Sequence, residues 1–118
     1  MADVPHDPQL LKGLLSLVLL HLLAERESYG YEVVNRLRQE GIELLEGTVY
    51  PALSRLEREG WLTSRLMPST SGPARKYYRP TPAGYAELKR GAHSWRALTR
   101  TISSVLDRPL PDQPQEGS

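Results

Sequence analysis

From Pro8 onward, apolar residues recur at helical spacing. Leu10, Leu11, Leu14, Leu15, Val18, Leu22 and Leu23 mark one face of a first helix, while Leu17, Leu19 and Leu20 place apolar groups on the opposite side. A helix apolar nearly all round must be covered on both sides. A chain this small offers one core, so the second face is expected to meet a partner chain. Ser28 stands where the N-cap of a second helix belongs; that helix buries Val33, Val34 and Leu37 and stops at Gly41. A loop holding Ile42, Leu44 and Leu45 leads to Gly47-Thr48, which are expected to open a third helix. Its Val49, Leu53 and Leu56 repeat at helical spacing before Gly60 ends it. Pro51 is expected in that helix's first turn, where amides lack intrahelical acceptors.

Beyond Gly60 the period changes. Trp61 to Met67 read as a strand, Pro68 to Pro73 as a turn, and Ala74 to Arg79 as a returning strand. Thr81-Pro82 follow as N-cap and first residue of a last helix. There Leu88, Ala92, Trp95, Thr99, Ile102 and Leu106 are spaced alternately by four and three residues, a heptad pattern that calls for a helical partner. Leu88, Trp95, Ile102 and Leu106 are therefore expected at a dimer interface. The fold class is mainly α with a small β-hairpin: a winged helix-turn-helix plus a C-terminal dimerisation helix. It divides into a flexible arm (1–7), the winged helix-turn-helix domain (8–80), the pairing helix (81–107) and a proline-rich disordered tail (108–118).

Composition narrows the function. A chain of 118 residues supports one folded unit, and 39% apolar with 25% charged residues is ordinary for a globular protein. Cysteine is absent, which removes disulfides, thiolate nucleophiles and Cys-ligated metal. Asp3 and Asp7 stand where a signal peptide would carry positive charge, and the apolar run from Leu10 to Leu23 is too short and interrupted to span a bilayer. A cytoplasmic protein without membrane contact is expected. His6, His21 and His93 are too scattered for a metal site, and no nucleophile-base pair, phosphate loop or paired-carboxylate cleft can be picked out. Neither enzyme activity nor a cofactor is expected. The net charge of +1 is uninformative, but its placement is not: Arg65, Arg75, Lys76 and Arg79 fall between Leu62 and Pro80 without an acidic residue.

Three blocks carry a resemblance. Tyr29-Gly30-Tyr31-Glu32, the stretch from Gly47-Thr48-Val49-Tyr50-Pro51 to Gly60-Trp61-Leu62, and Arg75-Lys76-Tyr77-Tyr78-Arg79-Pro80-Thr81-Pro82-Ala83-Gly84 together resemble the PadR-like transcriptional regulators, in that family's order and spacing. The resemblance runs from about Leu10 to Leu106. It implies a dimeric winged-helix repressor whose third helix enters the major groove of DNA while the wing lies along the backbone or in the minor groove. The single helix after the wing is similar to the compact branch that includes multidrug-sensing members, which bind flat aromatic compounds between subunits.

The residues support the same reading physically. At the start of the third helix Thr48 and Tyr50 can give hydroxyl donors to phosphates beside free backbone amides, with Tyr29 and Pro51 in the matched blocks around them. Ser54 and Arg55, a turn on, are placed to reach base edges, and Arg75 and Lys76 to neutralise phosphates from the wing. Plainer readings stay open beside these. Tyr50 can cap the core, Arg55 and Arg58 can be solvated partners of Glu59 and Glu57, and Arg75 and Lys76 can simply blunt an exposed strand edge. A winged helix serving as a protein-interaction module without DNA binding is the alternative function. The resemblance also implies that a tryptophan of the last helix stacks on the ligand. Trp95 between the small Ala92 and Thr99 fits such a platform for a planar aromatic, weakly cationic effector, with Leu11, Leu15 and Val18 as apolar walls; a core position is the other reading of that ring.

Overall fold

The computed structural model describes residues 6–112. Its elements are α1 (Pro8–Lys12), α2 (Leu15–Glu25), β1 (Ser28–Tyr29), α3 (Gly30–Gln39), α4 (Glu46–Arg58), β2 (Leu62–Ser69), β3 (Gly72–Pro80) and α5 (Pro82–Leu106). Most of the expected arm and residues 113–118 of the expected tail lie outside the described residues, and residues 108–112 form no helix or strand.

The first helix is broken. Asp7 caps α1 by accepting from the Gln9 amide at 2.8 Å, and Gly13, a poor helix former, ends it after a turn and a half. The Leu14 amide closes a tight bond to the Leu11 carbonyl (2.9 Å) before α2 starts. Ser28 is not an N-cap. It sits fully buried in β1 opposite Tyr78, its hydroxyl donating to the Arg26 carbonyl (3.3 Å) and accepting from Arg36 Nη1 (3.0 Å). Helix α3 begins two residues later, where the Tyr29 amide donates to Glu32 Oε1 (3.2 Å), one half of a capping box.

Helix α4 starts at Glu46, which makes Pro51 its sixth residue rather than a first-turn residue. The proline removes the bond that the Gly47 carbonyl would accept, at a point where Gly47 is exposed and water can replace it. Gly41 and Gly60 end α3 and α4 at φ 84° and 82°, values that glycine adopts without strain. The hairpin is longer than its sequence suggests, with only Thr70 and Ser71 in the turn and an irregularity between Met67 and Ser69 that accommodates Pro68. The three strands are antiparallel in the order β1-β3-β2, with Tyr29 opposite Tyr77 and Arg65 opposite Tyr77 on the other side.

Leu19, Leu20 and Leu23 of α2, Val33 and Leu37 of α3, Val49, Leu53 and Leu56 of α4, and Leu62 of β2 form the centre of the core. The side of α2 expected to meet a partner chain is covered in part by this chain's own α5. Thr81 caps α5 by accepting from the Gly84 amide (3.0 Å), and a Cβ on the buried Gly84 would stand 2.0 Å from the Trp61 carbonyl oxygen. One turn past Leu88, itself packed on the core, a Cβ on Gly91 would meet Leu17 Cδ1 at 2.8 Å. The C-terminal half of α5 has no such cover: Trp95, Leu98, Ile102, Val105 and Leu106 are exposed.

Candidate nucleic-acid interface

The buried stripe of α4, Val49, Ala52, Leu53 and Leu56, fixes what the helix presents outward. At 100° per residue the opposite stripe is Gly47, Pro51, Ser54 and Arg58, all exposed, with Tyr50 on its wing-facing edge and Thr48 and Arg55 on the other. Tyr29, Gly30, Tyr31, Tyr50, Ser54, Arg75, Lys76 and Tyr78 surround an open cavity of about 360 Å³ where α4, the start of α3 and the base of the wing converge. Of the residues the sequence singles out for DNA, the fold brings Tyr29, Tyr50, Ser54, Arg75 and Lys76 together here; Thr48, Pro51 and Arg55 lie on α4 outside the cavity.

Packing positions the cavity's donors. The Tyr50 ring lies so close to Gly30 that a Cβ there would be 2.6 Å from Cε1. Burial first, then the charge of Glu46, pushes the Tyr50 phenol above its ordinary value, so it remains a neutral hydroxyl donor at physiological pH. The Arg75 guanidinium stacks 4.5 Å from the centre of the Tyr29 ring, and Tyr29 meets Tyr77 edge-on at 5.3 Å. Tyr29, Gly30 and Tyr31 at the start of α3 line the same space, and a helix N-terminus favours anions.

The wing's cations are not all free of acids. Lys76 Nζ pairs with Glu57 Oε1 of α4 at 2.8 Å, and Arg65 pairs with Glu27 across both carboxylate oxygens. Hydrogen bonds from Lys76 and then Ser64 hold the Glu57 carboxyl below the ordinary carboxylate range, and Arg65 does the same to Glu27. Arg75, Arg79 and Arg58 have no carboxylate partner among the described residues. The segment from Leu62 to Pro80 is thus free of acids along the chain but meets Glu27 and Glu57 in space. Arg55 is also engaged: Nη2 donates to Ser16 Oγ (2.7 Å) and Nε lies 3.7 Å from Glu59 Oε1. Arg58, which the sequence left as a solvated helix residue, is the cation of the outward stripe.

A second concavity of about 250 Å³ lies between α2 and α5, lined by Leu14, Leu17, Leu20, Trp61, Trp95 and Leu98 among others. Trp95 faces it while remaining 41% exposed. The expected companions do not line it. Leu15 is in the core, and Leu11, Val18, Ala92 and Thr99 are half-buried elsewhere on their helices. Leu14 and Leu17, at the start of α2, form the wall instead, because Leu15 and Val18 turn to the core. Among the described residues no His, Cys, Asp or Glu cluster can hold a metal ion, and no helix is long and apolar enough to cross a membrane.

Comparison with known proteins follows the same lines. Residues 19–90 match the model of the transcriptional regulator PadR-like family. A transcriptional regulator of Mycobacterium tuberculosis is 35% identical over 91 residues, 77% of this chain and 84% of that one. The crystal structure of a PadR family transcriptional regulator from Eggerthella lenta superposes with a TM-score of 0.81 at 33% identity, covering 86% of this chain and 88% of the other. A PadR-like regulator from Bacillus cereus gives a TM-score of 0.76 at 34% identity, covering 86% and 99%.

Proposed function

Because the chain belongs to the PadR-like family of transcriptional regulators, and is thus a DNA-binding regulator rather than an enzyme, we propose that it acts as a homodimeric repressor on a palindromic operator. Each subunit lays the Gly47, Pro51, Ser54 and Arg58 stripe of α4 in a major groove. The cavity bounded by Tyr29, Tyr50 and Arg75 seats a flanking phosphate, and the wing follows the backbone. The observation that carries this reading is the convergence of a neutral hydroxyl donor, a helix N-terminus and an arginine without a carboxylate partner among the described residues on one side of α4. A protein-interaction module would need none of that geometry.

Pairing through α5 is supported by its exposed apolar run, with Ile102 44% and Leu106 75% accessible in the single chain. Two half-sites about 34 Å apart follow from placing two such helices in successive grooves. An aromatic, planar and weakly cationic effector beside Trp95, relieving repression, is supported by the apolar concavity there. Derepression requires that the effector favour a dimer whose two α4 helices no longer match the groove spacing. A regulator of this kind works in the cytoplasm.

The test is fluorescence anisotropy with a palindromic duplex selected from a random pool, across salt concentrations. Arg75→Ala should weaken binding to all sequences and flatten the salt slope by about one unit. Unchanged affinity in Arg75→Ala and in Tyr50→Phe would overturn the docking. Sedimentation at micromolar concentration tests the dimer. Quenching of Trp95 by flat dyes, against Trp95→Ala as background for Trp61, tests the effector site.

A further inference from the structure

One base-reading candidate of α4 is held by a residue of another helix. Arg55 Nη2 donates to Ser16 Oγ at 2.7 Å, across 39 residues of sequence, in the first turn of α2. Its other partner, Glu59, is 3.7 Å away, beyond hydrogen-bond range. The guanidinium is thus folded back against the body of the domain rather than along the outward stripe of α4. We infer that Ser16 is a positioning residue for Arg55, a latch that keeps the guanidinium on α2 in the free protein and gives it up when α4 enters DNA.

The chemistry of the two partners decides the direction. Ser16 offers one neutral acceptor at a half-exposed site, whereas a phosphate or the O6/N7 edge of a guanine offers a charged or bidentate one. Arg55 is adjacent to Ser54 and one turn from Pro51, so rotation about its side-chain bonds carries the guanidinium to the stripe without moving the backbone. DNA must break the Ser16 bond to recruit it, and the latch therefore opposes binding. Ser16 also lines the concavity beside Trp95, so the same hydrogen bond ties α4 to that site.

This inference rests on the proposed docking of α4, and the experiment separates the two. Wild type, Ser16→Ala, Ser16→Thr, Arg55→Ala and the Ser16→Ala/Arg55→Ala double variant are titrated against the selected palindromic duplex at one salt concentration. Thermal melts check that each is folded, as expected for alanine in an ordinary helical position. Removing the competing hydrogen bond should tighten binding by Ser16→Ala about threefold to tenfold. Ser16→Thr, which keeps the hydroxyl, should bind like wild type, Arg55→Ala should bind more weakly, and the double variant should match Arg55→Ala within about twofold. Unchanged or weaker binding by Ser16→Ala, or the same gain in the absence of Arg55, overturns the latch while leaving the docking intact if Arg55→Ala, Tyr50→Phe and Arg75→Ala still weaken binding. Full affinity in all three of those variants overturns the docking itself, and the latch with it.

Discussion

Replacing Gly30 with alanine separates the stability of the fold from the readiness of the site. The new Cβ would lie 2.6, 3.1 and 3.2 Å from Cε1, Cδ1 and Cζ of the Tyr50 ring, where carbon atoms ordinarily settle at about 3.5–4.0 Å. The ring must retreat by about 1 Å. It has room to do so, because Tyr50 is 39% exposed and the three atoms nearest the new methyl all belong to its own side chain. Gly30 has no positive φ and opens a helix, so alanine's better helix propensity, about 0.5–1 kcal/mol in an interior position, partly offsets the displacement. Thermal stability should change by less than about 1 kcal/mol. DNA affinity should not be spared, since a hydroxyl moved by about 1 Å no longer completes a charge-assisted hydrogen bond to phosphate. Such a bond is worth about 1.5–3 kcal/mol, or about 10- to 100-fold in affinity. Anisotropy titrations of Gly30→Ala, Tyr50→Phe and the double variant measure this, with melting curves alongside. Gly30→Ala and Tyr50→Phe should lose comparable affinity, and the double variant no more than either. Wild-type affinity in Gly30→Ala, or a full second loss in the double variant, would refute the idea that Gly30 exists to seat the Tyr50 ring.

Three further expectations follow from packing and charge. Glu57→Gln should release Lys76 for phosphate and steepen the salt slope of DNA binding by up to about one unit, read from log-log plots of affinity against salt. The Glu57 carboxyl is held below its ordinary value of 4.5 by Lys76 and Ser64, so its contribution to stability is fully present above pH 4.5 and is lost as pH falls through the lower folded value. Acid denaturation monitored by circular dichroism should therefore be shallower in Glu57→Gln. Gly84→Ala drives a Cβ to 2.0 Å from the Trp61 carbonyl oxygen, a backbone atom with little freedom, and should destabilise the domain by at least about 2 kcal/mol, whereas Gly47→Ala meets nothing within 4 Å and should not.

What the sequence made legible was local. The α4 block, its glycine stop, the hairpin and the Thr81 cap each rest on residues within a few positions of one another. Ser28 misled because the same residue type serves a helix cap and a buried two-residue strand, and only the pairing with Tyr78, fifty residues on, distinguishes them. Pro51 was placed in a first turn because Gly47-Thr48 look like a start, while the helix takes in Glu46 as well. The pairings that reshape the electrostatics, Glu27 with Arg65 and Arg55 with Ser16, span 38 and 39 residues and leave no periodic trace. The wall of the Trp95 concavity falls on Leu14 and Leu17 rather than on Leu11, Leu15 and Val18 because a helix apolar on both sides does not show in its sequence which side the core takes, and the core takes Leu15 and Val18.

The two-residue strand β1 has a consequence for how the chain is made. Joining Ser28 and Tyr29 to Tyr78 and Tyr77 closes a loop of roughly fifty residues, at an entropic cost of about 3.5 kcal/mol before any constant term, for very few backbone bonds. Helices α2, α3 and α4 already hold most of the core among themselves and emerge first from the ribosome. The order of synthesis then makes the helices settle before the sheet, with the wing swinging free until residue 78 has cleared the exit tunnel. In hydrogen exchange the amides of β1 should open well below the global unfolding free energy, and a nascent chain halted when residue 60 has just cleared the exit tunnel should be a protease-sensitive three-helix intermediate that carries α4 but has no fixed wing beside it.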